Sequence, residues 1–284
     1  MPSLIDIRRR IRSVKNTQQI TRAMKLVSAA KLRRAQDRVI AARPYVTTLR
    51  KVLANVATAA AADEQAGANP LMARRPEQRI LLVLVTSDKG LAGAFNANLI
   101  RGAQRFVAEH AGAAVTMELI GRKGRDFFRK RGARISGETI NMAKPSYEGT
   151  TPVAGRAMEM YRRGEVDSVY LLYNEFKSVI AQKLTMTQVL PVAVEERATP
   201  VDYIFEQAPA EMLESLLPRY VEMEFFRALL ETAAAEHAAR MTAMDAATSN
   251  AEEMIEKLTL FMNRVRQASI TKEIIEVVSG AAAE

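Results

Sequence analysis

"LLETAAAEHAARMTAMDAATSNAEEMIEKLTLFMNRV" spans residues 229–265 without a Gly or a Pro. Its surroundings prolong it, because from Tyr220 no breaker occurs until Gly280. At 1.5 Å per residue, about 60 residues make a helix of roughly 90 Å. A compact domain cannot bury a rod of that length, so it needs a second helix or an external sleeve. Leu230, Ala234, His237, Met241, Met244, Thr248, Ala251, Ile255, Leu258, Met262 and Val265 recur in steps of three and four and set one stripe along it. Several of them are small, which permits close approach of a partner helix. Past Val265 the same rhythm falls on Ser269, Lys272 and Glu276, while Ile270, Ile274, Val277 and Val278 lie on another face. The helix is therefore expected to change partner near residues 266–269.

The N-terminus offers a second rod. Leu4, Ile7, Ile11 and Val14 start a heptad stripe that resumes at Leu32 and continues through Val39, Val46, Leu49, Leu53 and Val56. Between the two halves the stripe positions are Gln18, Thr21, Lys25 and Ser28, and Ile20, Met24 and Val27 face elsewhere. Ser3 is placed to cap the helix, and Pro44 should kink it by removing one N–H. Charge supports pairing of the two rods. Residues 1–51 carry 14 basic against 2 acidic side chains, and residues 209–284 carry 7 against 13. The net charge of +9 leaves an excess that calls for an acidic partner.

Residues 61–78 read as a linker, with Gly67, Pro70 and Pro76. Beyond it "RILLVLVTS" (79–87) is a short apolar run of the type buried in a parallel sheet. "AVTMELIG", "ARISG", "DSVYLLYNEF" and "AQKLTMTQVLPV" read as further strands, with helical spacing between most of them. Alternating strands and helices indicate an α/β layer. The expected organisation is an N-terminal coiled-coil helix over 1–60 and a Rossmann-like α/β domain over 77–207. A C-terminal helix over 210–284 would return antiparallel to the first. Pro218 is expected to break that last helix near its start or to sit in its first turn.

Little chemistry is available. With no Cys there is no disulfide, thiolate ligand or thiol nucleophile, and the two His, His110 and His237, are far apart. "VTSDKGLAGAFN" (85–96) follows a strand and precedes a helix, where open α/β sheets bind ligands. Its G-x-x-G spacing matches neither dinucleotide nor P-loop fingerprints, so it reads as a structural turn, with Asp88 and Lys89 either a turn pair or a partner contact. Glu252 and Glu253 read as an exposed helix face. "IRRRIRSVK" lacks interleaved aromatics and keeps a coiled-coil phase, which favours a protein-facing surface over nucleic acid. No apolar run reaches the length of a membrane span. The Arg-rich start could mimic a transit peptide, but its pattern runs on for some fifty residues without a cleavage-like break.

Three stretches bring the chain close to one family. They are "IRRRIRSVKNTQQITRAMKLVSAAKLRRAQ" (7–36), "TSDKGLAGAFN" (86–96) and the C-terminal "AARMTAMDAATSNAEEMIEKLTLFMNRVRQASITKEIIEVVSGAAA" (238–283). Together they resemble the γ subunit of the rotary F-type ATP synthase, in order and over essentially the whole chain. The resemblance implies a non-catalytic rotor shaft without cofactor. Its partners would be the α and β subunits of the catalytic hexamer, the ε subunit and the c-subunit ring. It further implies that Arg266 and Gln267 of "RQASIT" contact a β loop and that Met24 and Lys25 lie near the acidic lever of β. Arg240 and Lys89 would be further hexamer contacts, and Tyr203 and Glu206 of "DYIFE" would face the c ring. The implied location is peripheral, on the cytoplasmic face of a bacterial inner membrane. The turn departs from the family pattern, reading GLAGAFN where many members have a Cys and a further Gly, and the dithiol insert of chloroplast members is absent.

Overall fold

The computed structural model describes residues 3–61, 69–141, 144–193 and 207–281. They form two compact units, Ala30–Ala239 and the pair of segments Met1–Ala29 and Arg240–Glu284. Two long helices, α1 (Leu4–Ala61) and α5 (Pro209–Ala281), contribute to both. Tyr203 and Glu206 lie outside the described residues.

In the larger unit the chain continues through β1 (Arg79–Val85), α2 (Phe95–Glu109), β2 (Ala114–Ile120), α3 (Arg122–Arg129), β3 (Ile135–Thr139), α4 (Tyr147–Arg162), β4 (Ser168–Phe176) and β5 (Gln182–Leu190). The sheet order is β3-β2-β1-β4-β5. The first four strands are parallel and β5 returns antiparallel to β4. Strand β1 is central and buried on both faces after its first residue, which accounts for its unbroken Ile-Leu-Leu-Val-Leu-Val run. Leu81, Val83 and Val85 join Val153 and Tyr161 of α4, Leu53 and Val56 of α1, and Leu217, Val221 and Phe225 of α5 in one core. On the other face α2 buries Leu99, Ala103 and Phe106, with the Phe106 ring 5.1 Å from that of Tyr170.

The helix pair in this unit follows the heptads. Leu32, Val39, Val46, Leu49, Leu53 and Val56 are all buried. The pairings of Arg43 with Glu231 and Arg50 with Glu224 run in opposite chain directions, so α1 and α5 are antiparallel here. Pro44 does not end α1, which continues to Ala61. Losing one helical hydrogen bond there costs about 3 kcal/mol, and burial of Val39 and Val46 on the opposite face offsets it. Pro218 departs from expectation. Helix α5 starts at Pro209, so Pro218 is interior, and burial of the flanking Leu217 and Val221 holds the helix together around it.

A buried carboxylate fixes the start of the central strands. Asp167 Oδ2 accepts from the backbone N–H of Arg79 at 2.9 Å, and its Oδ1 accepts from Arg79 Nη2 at 2.8 Å. The hydrogen bond from Arg79 holds this acid below its ordinary value of 3.8, against an opposing effect of burial. The stabilisation is therefore complete above that value and is lost as pH falls through the lower, folded one. The Asp167→Asn variant is expected to melt below the wild type at neutral pH, with the difference closing in strong acid. Melting curves from neutral pH to about pH 2.5 check this, and a difference independent of pH would contradict it.

Candidate functional site

The C-terminal edge of the parallel strands is where an α/β sheet would hold a ligand. Here the turn after β1 is closed by its own side chains. Ser87 N donates to Asn96 Oδ1 at 3.0 Å, and Ser87 Oγ donates to the Lys89 carbonyl at 2.6 Å. Asp88 Oδ1 accepts from Arg122 N at the start of α3. Gly93 adopts a positive φ of 56°, a conformation that glycine takes without strain. The crevice above the strands is occupied by α5: Leu229, Thr232, Ala233 and Glu236 meet Val85, Thr86, Ser87 and Asp88 around a cavity of about 10 Å³. That is room for a single water, and the Glu236 carboxylate in its wall would repel a phosphate. The turn is structural, and Lys89 and Leu91 are its large side chains exposed to solvent.

The helical unit has the opposite character. Thr21 Oγ1 lies 2.8 Å from Thr248 Oγ1, and Lys25 Nζ pairs with Asp245 at 2.5 Å, again antiparallel. The interruption at Gln18–Ser28 is therefore a change of chemistry within the seam. Thr21 and Ser28 are buried at 8% and 3%, while Ile20, Leu26 and Val27 are 54–64% exposed. The polar residues face the partner helix and the apolar ones face outward, the reverse of a soluble surface helix.

The register also explains the C-terminal end. Each step from Thr21 toward the start of α1 is matched by a step from Thr248 toward the end of α5. Carried to Leu4, it reaches Val265 or Arg266. Beyond that point α5 has no α1 beside it, and residues 270–279 are all exposed. Ile270, Ile274, Ile275, Val277 and Val278 expose 48–72% of their surface, and Met254, Leu260 and Phe261 add to the outward apolar face. From Ile270 to Val278 these side chains lie past the start of α1 and do not pack on it. An isolated helix of about 15 residues is marginal in water, and an apolar patch of this kind marks an interaction site.

The predicted contact residues fall differently on this unit. Arg266 and Gln267 are exposed at the level where α1 begins, and Met24 is half-buried. Lys25 is already paired with Asp245. Arg240 is buried, which leaves little of its surface for another subunit. Lys89 belongs to the other unit.

Buried carboxylates of α5, Glu224 and Glu231 among them, escaped the sequence reading because acids on a helix read as solvent-facing. Glu224 accepts from Arg50 Nη2 at 2.9 Å and from Arg227 Nη2 at 2.6 Å. Burial tends to lower the Arg227 pKa, but Glu224 and Tyr173 hold the guanidinium above its ordinary value. Glu231 accepts from Arg43 and from the backbone of Phe176. The missed signal was a pair of matched intervals: Arg43 and Arg50 are seven residues apart, as are Glu224 and Glu231.

Comparison with known proteins agrees with these features. A family profile described as ATP synthase matches residues 3–283. The ATP synthase gamma chain of Solibacter usitatus (strain Ellin6076) is 74% identical over 284 residues, covering all of this chain and 99% of that one. The ATP synthase gamma chain of Anaeromyxobacter sp. (strain Fw109-5) is 52% identical, with the same coverage. Among solved structures, a chain of the Euglena gracilis mitochondrial ATP synthase (OSCP/F1/c-ring, rotational state 3) superposes with a TM-score of 0.69 at 18% identity, covering 99% of this chain and 94% of that one. A chain of the Tetrahymena thermophila mitochondrial ATP synthase central stalk/c-ring gives 0.62 at 24% identity, covering 80% and 99%. At these identities the structural likeness speaks for the fold.

Proposed function

Because the chain belongs to the ATP synthase gamma-chain family, we propose that its helical unit turns inside the α/β hexamer, with Arg266 and Gln267 against a β subunit. The chain is the central rotor shaft and a non-catalytic subunit of the complex. One observation carries the reading: apolar side chains at 20, 26 and 27 point outward from a helix pair whose seam is partly polar, and Ile270, Ile274, Ile275, Val277 and Val278 are exposed on α5 beyond that pair. A face of that kind needs a sleeve. The hexamer supplies one, and each β conformation then has its own contact energy with the face turned toward it. Rotation of an asymmetric shaft thereby biases the β sites in turn. Met24 and Lys25 add to this contact, while Tyr203 and Glu206 are assigned to the c ring by family resemblance. The ε subunit completes the partner set.

Among the described residues no helix is long and apolar enough to cross a membrane. The chain associates peripherally with the membrane complex, and we place it on the cytoplasmic face of a bacterial inner membrane. The purified chain is expected to hydrolyse no ATP above background. Added to α and β subunits lacking their shaft, it restores rotation-coupled turnover. Appreciable hydrolysis by the isolated chain would sink the reading.

A further inference from the structure

A shaft must turn with its base, and that requirement points to one junction in the larger unit. Glu231 of α5 is 1% exposed at its side chain, yet it is an acid. Burying a carboxylate costs several kcal/mol unless it is paired and hydrogen-bonded. Here Oε1 accepts from Arg43 Nη2 at 3.0 Å and Nε at 3.2 Å, and Oε2 accepts from the buried backbone N–H of Phe176 at 3.0 Å. The same Arg43 Nη2 donates to the Phe176 carbonyl at 3.1 Å. One ion pair thus joins three elements: α1, α5 and the last residue of β4.

The hydrophobic effect that drives apolar packing is itself non-directional. Hydrogen bonds weaken steeply with angle, so this junction resists twist of the helix pair against the sheet. Stability alone is a poor reason for it, since an apolar replacement of a buried ion pair is often neutral or stabilising. Arg50, Glu224 and Arg227 form a second ionic group one heptad away, whose hydrogen bonds tie α1 to α5 and α5 to itself.

We propose that Glu231, with Arg43 and the main chain of Phe176, is the torsional lock that makes the sheet turn with the two helices. Glu231 is a positioning residue for rotary coupling, and its role rests on the rotor reading above. The test uses the whole complex. The chain has no native Cys, so Lys183→Cys on the exposed edge of β5 gives a unique attachment point for a rotation probe. The Arg43→Met/Glu231→Gln double variant removes both charges, keeps the volumes similar and leaves an amide oxygen for Phe176 N. Arg43→Lys keeps the charge and loses the fork.

With the hexamer fixed, angular variance of the probe at each dwell is expected to rise about twofold in the double variant, if the lock supplies half the torsional stiffness, because mean-square displacement scales inversely with stiffness. In vesicles, protons pumped per ATP hydrolysed should fall while hydrolysis itself continues. Arg43→Lys should lie between the double variant and the unmodified chain. A folded double variant with unchanged variance and coupling overturns the lock. If the double variant does not fold, Arg43→Lys decides by the same two readouts. Absence of ATP-driven rotation in the unmodified complex would instead overturn the rotor reading, and the lock with it.

Discussion

Gly121→Ala is expected to lower the melting temperature of the chain by roughly 10 °C, corresponding to about 3–5 kcal/mol in a unit of this size. Gly121 joins β2 to α3 with φ 93° and ψ 144°, a region that is essentially glycine-only. A Cβ there would stand 2.1 Å from the Thr86 carbonyl oxygen and 2.6 Å from its carbon. Both atoms are backbone, at the exit of the central strand, and cannot swing aside. Thr86 is itself fixed, since its N–H donates to the Ile120 carbonyl at 2.8 Å and its hydroxyl accepts from Gly124 N at 2.9 Å. The methyl group must therefore move the ends of β1 and β2 apart or drive φ into another basin. Gly155→Ala provides the contrast. It lies inside α4 with nothing within 4 Å of its added Cβ, so the same substitution should stabilise by up to about 1 kcal/mol. Melts of both variants followed by near-ultraviolet tyrosine dichroism check the pair. Equal small shifts at the two positions would contradict the clash.

Much of this architecture was legible because its determinants are periodic. Leu32, Val39, Val46 and Leu53 repeat every seven residues, and the central strand is an unbroken apolar run; both patterns follow directly from burial. The seam at Gln18–Ser28 was harder. A threonine that pairs with another threonine across two helices has no sequence mark that separates it from an exposed one. Thr21 and Ser28 therefore read as a lost stripe, although they are more buried than neighbouring Ile20 and Val27. Pro218 was read from its local chemistry, and tertiary packing overrode that chemistry. The overhang of α5 past Leu4 depends on register between segments more than 200 residues apart, which a one-dimensional pattern does not contain. The turn at 86–96 was closer to legible, since its glycine spacing already argued against a phosphate cradle. Its closure by α5 is a long-range fact.

Replacing Arg266 and Gln267 together by Ala is expected to weaken engagement of the shaft with the α/β hexamer by roughly thirtyfold, a loss of about 2 kcal/mol. That is the low end for truncating one side of a desolvated charged contact. Both side chains are exposed in the isolated chain and stand where α5 leaves the protection of α1. Their removal withdraws nothing from the seam, where Thr21–Thr248 and Lys25–Asp245 remain, and nothing from the sheet. The urea midpoint of the chain should therefore stay where it is. An Arg facing a carboxylate can form a two-pronged contact whose strength depends on angle. Such a contact discriminates between rotational positions better than the apolar face around it, which is tolerant of orientation. ATP-driven proton pumping should accordingly fall further than ATP hydrolysis, because hydrolysis can continue on a poorly engaged shaft whereas coupling cannot. Binding of the variant chain to α and β subunits, together with the pumping-to-hydrolysis ratio in vesicles, measures the two consequences separately. Unchanged values of both would remove the proposed β contact and leave the outward apolar face as the sole anchor of the tip.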